Sequence, residues 1–333
     1  MTGKIQKFVR SADEAIARVY LSLFKERNAL LPFLFHSLFR DEREIELNLV
    51  DPLDRTTIAK LRQFIEYYLD CGYRFVSPPE LLAGLDPGGR YAMITFDDGY
   101  YNNTLALPVL KEFDVPALFF ISTTHVRENK CYWWDVLYRE RTGQGVDHDR
   151  IESEARTLKQ LRTEEIESRL KDWFGPDALT PRSDIDRPFS PEELKAFAAD
   201  PHVFLGNHTA NHAILINYTP QEVREQILGA QESLHEMTGV RATAIAYPNG
   251  ALNEQVINVC ASAGLQLGFT VRPEKRILPI DLRSNHLMRL GRFTPHSHSP
   301  IPNQCRTYRS DVLLYGKFRD LYLRLQGEAR VTN

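Results

Sequence analysis

The strongest constraint on this chain is a rhythm. Short apolar runs alternate with segments whose apolar residues recur every three or four positions. "LLPFLFHSLF" (30–39), "YAMITF" (91–96), "ALFFIST" (117–123), "HVFLG" (202–206), "ATAIAY" (242–247) and "LQLGFT" (265–270) read as buried strands. Residues 54–73, "LALPVLKEFD" (105–114), 220–238 and 253–264 read as helices between them, with a short strand at "RFVS" and a turn at "DPGG" (86–89). Strands that alternate with helices pair in parallel, because each crossover returns the chain to the same end of the sheet. The expected class is α/β, with a last strand near "LMRLGRF" (287–293).

The rhythm breaks over about 140–195. There "RIESEARTLKQLRTEEIESRLKDW" is dense in charge with sparse apolar teeth, as expected of exposed helices. A Pro/Asp-rich loop follows, then a helix with Ser190 as its cap and Pro191 at its first position. The strand–helix pattern then resumes, so this stretch reads as a helical insertion inside one domain spanning 30–300. Residues 301–333 read as a helical tail. Residues 1–29 form an amphipathic helix, with Ile5, Phe8, Val9, Ala12, Ile16, Val19, Tyr20, Leu23 and Phe24 on its apolar stripe. Packing on the domain's own surface is the first reading of that helix. Contact with a membrane interface, with Lys4, Lys7 and Arg10 at the polar edge, is the second.

Composition narrows the classes further. Among 333 residues the net charge is −3, which offers no footprint for nucleic acid. The four cysteines, Cys71, Cys131, Cys260 and Cys305, are scattered without a CxxC pair, which argues against a disulfide framework and a thiolate zinc site. Neither a secretory signal nor a membrane span is visible, so a cytoplasmic location is expected.

Within this frame, three strand ends carry chemistry. "YAMITFDDGYYNN" stops a buried strand at two adjacent carboxylates, Asp97 and Asp98. "HVFLGNHTANH" ends another at His208 and His212, four residues apart, which one helical turn would bring to the same side. "AIAYPNG" ends a third at Pro248 and Gly250. In α/β sheets, ligands gather at the carboxyl ends of strands. One carboxylate and two imidazoles make a facial metal site, and the second carboxylate can then act as a base on a metal-bound water. Asp98 as ligand and Asp97 as base give the doublet a rationale.

These residues resemble a known family. "TFDDGYYNN", "NHTANH" and "AYPNG" are similar to the motifs of the polysaccharide deacetylases, the NodB-homology group. "LDCGYRFVSPPELL", "VPALFFIST" and "AGLQLGFTVRP" fit the same pattern, and together the resemblance covers roughly 31–123 and 200–293. It implies a distorted (β/α)7-type barrel and metal-dependent removal of an acyl group, foremost N-acetyl, from a sugar in polysaccharide or glycolipid metabolism. By motif match Asp97 is the base, and Asp98, His208 and His212 hold one divalent ion. Zinc is the first expectation, with cobalt, nickel, iron and manganese as alternatives. The substrate would be an acylated sugar or glycan, soluble or lipid-linked.

Two departures from the family pattern matter. Ala246 stands where the family commonly has an arginine that orients the base. Arg289 in "LMRLGR" resembles the arginine that serves instead in one branch, with Arg292 as its rival. The family's late Leu-x-His is absent, and His36 in "LFHSLF" resembles the general acid of the permuted branch, with His286 next in line. The "HSH" at 296–298 reads as a solvated loop. Tyr247, Pro248, Asn249 and Gly250 are expected to frame the oxyanion, and Tyr100, Tyr101, Trp133 and Trp134 to stack on sugar faces, although the tryptophans fit core packing equally well. Three other classes share these features: a hydrolase of formamides or cyclic amides, a metal-free glycan-binding pseudoenzyme, and a scaffold docked through the N-terminal helix.

Overall fold

The computed structural model describes residues 3–52, 55–283, 285–314 and 316, with the side chains of 3–7 and 285 left undescribed. Eight strands form one curled sheet: β1 (Ala29–Phe35), β2 (Arg74–Phe75), β3 (Tyr91–Phe96), β4 (Ala117–Ile121), β5 (Val203–Asn207), β6 (Ala244–Ala246), β7 (Leu267–Phe269) and β8 (Arg276–Ile277). The order is β7-β6-β5-β4-β3-β1-β8, with β2 paired to the start of β3. All pairings are parallel except that of β1 with β8. This is a mixed α/β fold with a curled, barrel-like sheet: the alternation of elements implied the α/β class, and the family resemblance implied the barrel.

Each central strand buries both faces. Leu31, Phe33, Ala92, Ile94, Phe119 and Ile121 pack outward under the helices. Leu30, Met93, Leu118, Phe120, Ala244 and Leu267 fill the curled interior. The two sets alternate along each strand because successive side chains point to opposite faces.

The segment expected as a strand at 287–293 is different. Asn285–Arg289 forms a 3-10 helix, and only its continuation bridges the barrel's open side. The Leu290 N–H donates to the Gly268 carbonyl at 2.7 Å, and Phe293 exchanges bonds with β1 through Pro32 and Leu34 at 2.9 Å each. A full strand does not fit because the Met288 carbonyl already sits against Gly268, where even a Cβ would approach it to 2.4 Å.

Between β4 and β5, beyond the short helix Thr123–Glu128, lie four more: Trp133–Gly143, His148–Leu158, Thr163–Phe174 and Pro191–Ala198. The first three share a small core of their own, including Val136, Leu137, Ile151, Ile166 and Leu170. The N-terminal helix, Gly3–Leu23, buries Val9, Asp13 and Ala17. Asp13 accepts the Leu314 N–H at 2.7 Å and the Tyr20 hydroxyl donates to Asp311 at 2.8 Å, tying the first helix to the chain beyond the helix Ile301–Arg309. Phe8, Val19, Leu23 and Phe24 remain exposed. Arg10, expected at a polar membrane-facing edge, instead lines an internal cavity with Asp13 and Glu14, and the side chains of Lys4 and Lys7 lie outside the described residues. Among the described residues, no helix is long and apolar enough to cross a membrane. Most of the expected C-terminal tail, from 317 onward, lies outside the described residues.

Candidate metal centre and active-site cleft

Strand β3 ends at Phe96, and the Asp97 N–H continues its ladder by donating to the Phe35 carbonyl at 2.9 Å. The chain then turns sharply, with Asp98 at φ 78° and Gly99 at φ 93°. A positive φ outside glycine is uncommon, and aspartate is one of the side chains that tolerates it. Here the turn aims the Asp98 carboxylate into the mouth of the barrel. Its backbone is pinned from two sides, since the Asp98 carbonyl accepts from the Ser122 N–H at 3.1 Å and from the Tyr132 hydroxyl.

Two strands away, beyond β4, β5 ends at Asn207. The following segment makes no helical turn. Thr209 and His212 both take left-handed conformations, at φ 63° and 48°, and side chains lock the bend. The Asn207 carboxamide oxygen accepts from the Thr209 N–H, and the Thr209 hydroxyl accepts from the Ala213 N–H, each at 2.8 Å. The histidine pair converges through this irregular turn rather than through the 3.6-residue period.

The resulting cluster is tight. His208 Nε2 and His212 Nε2 each lie 3.3 Å from Asp98 Oδ1, and the three ligand atoms fall within 4.8 Å of one another. Donors about 2.0–2.2 Å from one ion at tetrahedral angles are roughly 3.4 Å apart, so the spacing suits a small divalent cation. His208 Nδ1 lies 2.8 Å from the Ala246 carbonyl. A carbonyl can only accept, so Nδ1 carries the hydrogen and Nε2 presents a lone pair to the centre, the usual orientation of a metal-binding imidazole. Ala246 thus supplies a backbone acceptor at the position where an arginine was missed.

Electrostatics agree with this reading. Burial alone would raise both aspartates, but the facing His208 and His212 imidazoles hold Asp98 well below the usual carboxylate range. For Asp97 the Arg292 charge outweighs burial, with the neighbouring His208 adding to it. Burial lowers His212, which Asp98 only partly offsets, so its imidazole favours the neutral form that binds a metal.

Asp97 stands beside the cluster. Its Oδ2 is 3.9 Å from His208 Nε2, while Arg292 grips both carboxylate oxygens at 2.6 and 2.7 Å. Arg292 is fully buried in the barrel, donating also to the Thr95 hydroxyl at 2.9 Å and the Thr270 carbonyl at 3.0 Å. The arginine expected at Arg289 is therefore Arg292. Arg289 sits half-buried and ion-paired with Glu254, because the 3-10 turn rotates it away from the barrel axis before the chain bridges β7 and β1.

The other expected residues divide. His36 follows directly after β1 and lines the same cleft as Asp97, Asp98, His208 and His212, whereas His286 is exposed and is not among its lining residues. Asn249, at φ 57°, also faces the cleft. The Tyr247 N–H donates to Phe269 and the Gly250 N–H to Tyr247, and Pro248 has none, so of this turn only the Asn249 N–H stays outside those bonds. Tyr247 is buried, with its hydroxyl on the Met288 carbonyl, and is no wall for a sugar.

Tyr100 needs the same correction. Its ring is buried and its hydroxyl donates to Asp135 at 2.7 Å, beneath the site rather than in it. Trp134 donates to that hydroxyl at 3.0 Å and packs its ring 4.4 Å from His212. Both tryptophans line the cleft, so the first insertion helix forms one wall of a space of about 520 Å³. Sequence reading missed that the second insertion helix completes this wall with Ile151, Arg156 and Lys159. No local motif marks them, since only the docking of the insertion places them there.

A curled, mostly parallel sheet with a buried Asp-His-His cluster and an arginine-clamped aspartate at its carboxyl end defines an α/β barrel with a candidate metal centre at the strand ends. Residues 84–268 match the family described as Polysaccharide deacetylase, and the chain belongs to that family. YxkH of Bacillus subtilis (strain 168), named as a polysaccharide deacetylase, is 24% identical over 209 residues. That match covers 61% of this chain and 54% of YxkH, so this chain corresponds to about half the length of that relative. Solved structures share the fold. The Streptococcus pyogenes deacetylase PplD in complex with acetate superposes with a TM-score of 0.57 at 17% identity, covering 85% of this chain and 99% of that one. BC0361 of Bacillus cereus, a polysaccharide deacetylase, gives 0.57 at 17%, covering 85% and 69%. IcaB from Ammonifex degensii gives 0.54 at 19%, covering 86% and 99%.

Proposed function

We propose that this protein is a metal-dependent deacylase that removes an acyl group, foremost N-acetyl, from a sugar in glycan or glycolipid metabolism. The observation that carries the reading is the Asp98–His208–His212 cluster beside an Asp97 carboxylate held by Arg292. Asp98 Oδ1, His208 Nε2 and His212 Nε2 would hold the ion, with zinc the first choice. When bound, such an ion polarises the acyl carbonyl and makes a water nucleophilic at neutral pH.

The chain's own residues supply the rest. Asp97, ionised and fixed by two guanidinium bonds, takes the proton of the attacking water. The Asn249 N–H is offered to the oxygen that gains charge at the acyl carbon, a contribution typically worth about 3 kcal/mol. His36, at the end of the strand beside Asp97, returns a proton to the departing nitrogen. Trp134, part-exposed on the cleft wall, seats the sugar face, while Trp133 backs it from the insertion's core. The acetate in the PplD structure is the product expected of this chemistry.

The deciding experiment measures acetate released from N-acetylglucosamine oligomers by purified protein, stripped of metal and then resupplied with zinc. Metal-restored release supports the reading. Absence of release from any acylated sugar, with turnover of a formamide or cyclic amide instead, replaces it.

A further inference from the structure

The cleft holds more charge than the reaction needs. Asp97 is held by Arg292 and Asp98 faces the two histidines, whereas Asp51 and Glu152 lie 3.6 and 3.7 Å from His148, beyond hydrogen-bond reach. Arg156 and Lys159, on the second insertion helix and the residue that caps it, line the same cleft. Among the described residues, neither side chain makes a hydrogen bond or ion pair. Solvent reaches Lys159, yet the walls around it withhold enough water to lower its ammonium pKa, against the opposing pull of the Asp51 and Glu152 carboxylates and, more weakly, of Asp98. The two cations sit three positions apart across the end of one helix, so both project from one side of the wall. They lie beside apolar Ile151 and Ala155, on the wall that also carries Trp133 and Trp134.

An exposed cation on a convex surface is simply solvated. Two cations on a concave wall, with low-dielectric aromatic and aliphatic neighbours, focus a positive potential into the cleft. A neutral acetylated sugar offers them hydroxyl and carbonyl oxygens but no charge, so only the weaker neutral-acceptor bonds can form. Resting on the deacylase reading above, we propose that the sugar taken by this cleft is anionic, carrying a carboxylate or a phosphate that Arg156 and Lys159 bind. Arg156 supplies the planar fork that matches either group, and Lys159 supplies a compact charge on a flexible stem. The anion also explains why the insertion, rather than the barrel, builds this wall. The barrel's strand ends are occupied by the catalytic set, and a group elsewhere on the sugar must be met by an element that reaches over them.

The test compares binding of three N-acetyl sugars by intrinsic tryptophan fluorescence, since Trp133 and Trp134 line the cleft. The probes are neutral N-acetylglucosamine, its 1-phosphate, and N-acetylmuramic acid with its carboxylate. The wild-type protein should bind at least one anionic probe about tenfold more tightly than the neutral one. That preference should shrink on raising salt from 50 to 500 mM and collapse in Arg156→Gln/Lys159→Gln, whose metal stoichiometry reports an intact centre. Preference for the phosphate alone assigns a phosphorylated sugar, and preference for the carboxylate alone assigns a sugar acid. Equal affinity for all three probes overturns the proposal, as does a preference that survives in the double variant, which would mean that the metal itself holds the anion. Acetate release is measured separately. An anion preference without release keeps this site and discards the deacylase reading, and release without the preference does the reverse.

Discussion

At the scale of single residues, the two adjacent aspartates have separate partners, and this separates their roles. Asp98 faces the imidazoles, whereas Asp97 faces a guanidinium. Asp97→Asn should keep its metal while lowering kcat by about 10²–10⁴, the usual worth of a positioned base. Metal analysis and acetate release on the same sample check this, and loss of the ion would exchange the two roles. Arg292→Ala should be severe. It strands a buried carboxylate, which costs about 3–5 kcal/mol in urea unfolding, and it raises the Asp97 pKa so that the acid limb of the activity profile moves to higher pH. Arg289→Ala breaks an exposed pair and should change stability by less than about 1 kcal/mol. His36→Ala should slow an amide substrate far more than an activated ester, whose leaving group needs no proton. Equal losses on both would return His36 to a structural role. The doublet, the histidine spacing and the choice between two nearby arginines were all visible as text. The choice itself was not, because a 3-10 turn followed by a bridging strand changes which of two side chains three residues apart points inward.

At the scale of elements, the closure of the barrel rests on one contact. Gly268 in β7 lets the Met288 carbonyl and the Tyr247 hydroxyl approach to where a Cβ would lie only 2.4 Å away from each. Gly268→Ala should therefore push the 285–290 segment off β7 and weaken the Leu290 bond that follows. Overpacking of this kind costs about 1–3 kcal/mol, and because Arg292 hangs on the displaced segment, kcat should fall with stability. A variant that loses stability but keeps full kcat would show that Arg292 is positioned independently of the closure. Strand and helix types were readable from period and length. The left-handed turns were not: Asp98 is pinned by Ser122 and Tyr132 from elsewhere in the fold, and Thr209 and His212 by a local Asn207–Thr209–Ala213 bonding pattern that no period announces.

At the scale of the whole molecule, the barrel supplies the Asp98–His208–His212 cluster and Asp97, and the insertion supplies the opposite wall through Trp134, Arg156 and Lys159. Metal binding should couple to the entire fold, because the ligands come from two different strand ends. An ion present at 1,000 times its dissociation constant adds about 4 kcal/mol to stability. Added zinc should therefore raise the Tm of wild-type protein by several degrees and leave His208→Ala unmoved. A variant that gains as much as the wild type would place the ion elsewhere.

Some of this was decided by the chain alone. The apolar runs and helical periods required a parallel α/β sheet, since continuous burial of both strand faces is written in composition and spacing. The placement of Asp97, Asp98, His208 and His212 at strand ends followed from where those runs stop. Tertiary structure decided the rest: that Arg292 and not Arg289 grips Asp97, that Tyr100 is sealed beneath the site, and that a charged insertion becomes a wall of the cleft. Each of these depends on which side chain faces which neighbour across tens or hundreds of residues of sequence. Such contacts are selected by packing, and packing has no signature in any local stretch of sequence.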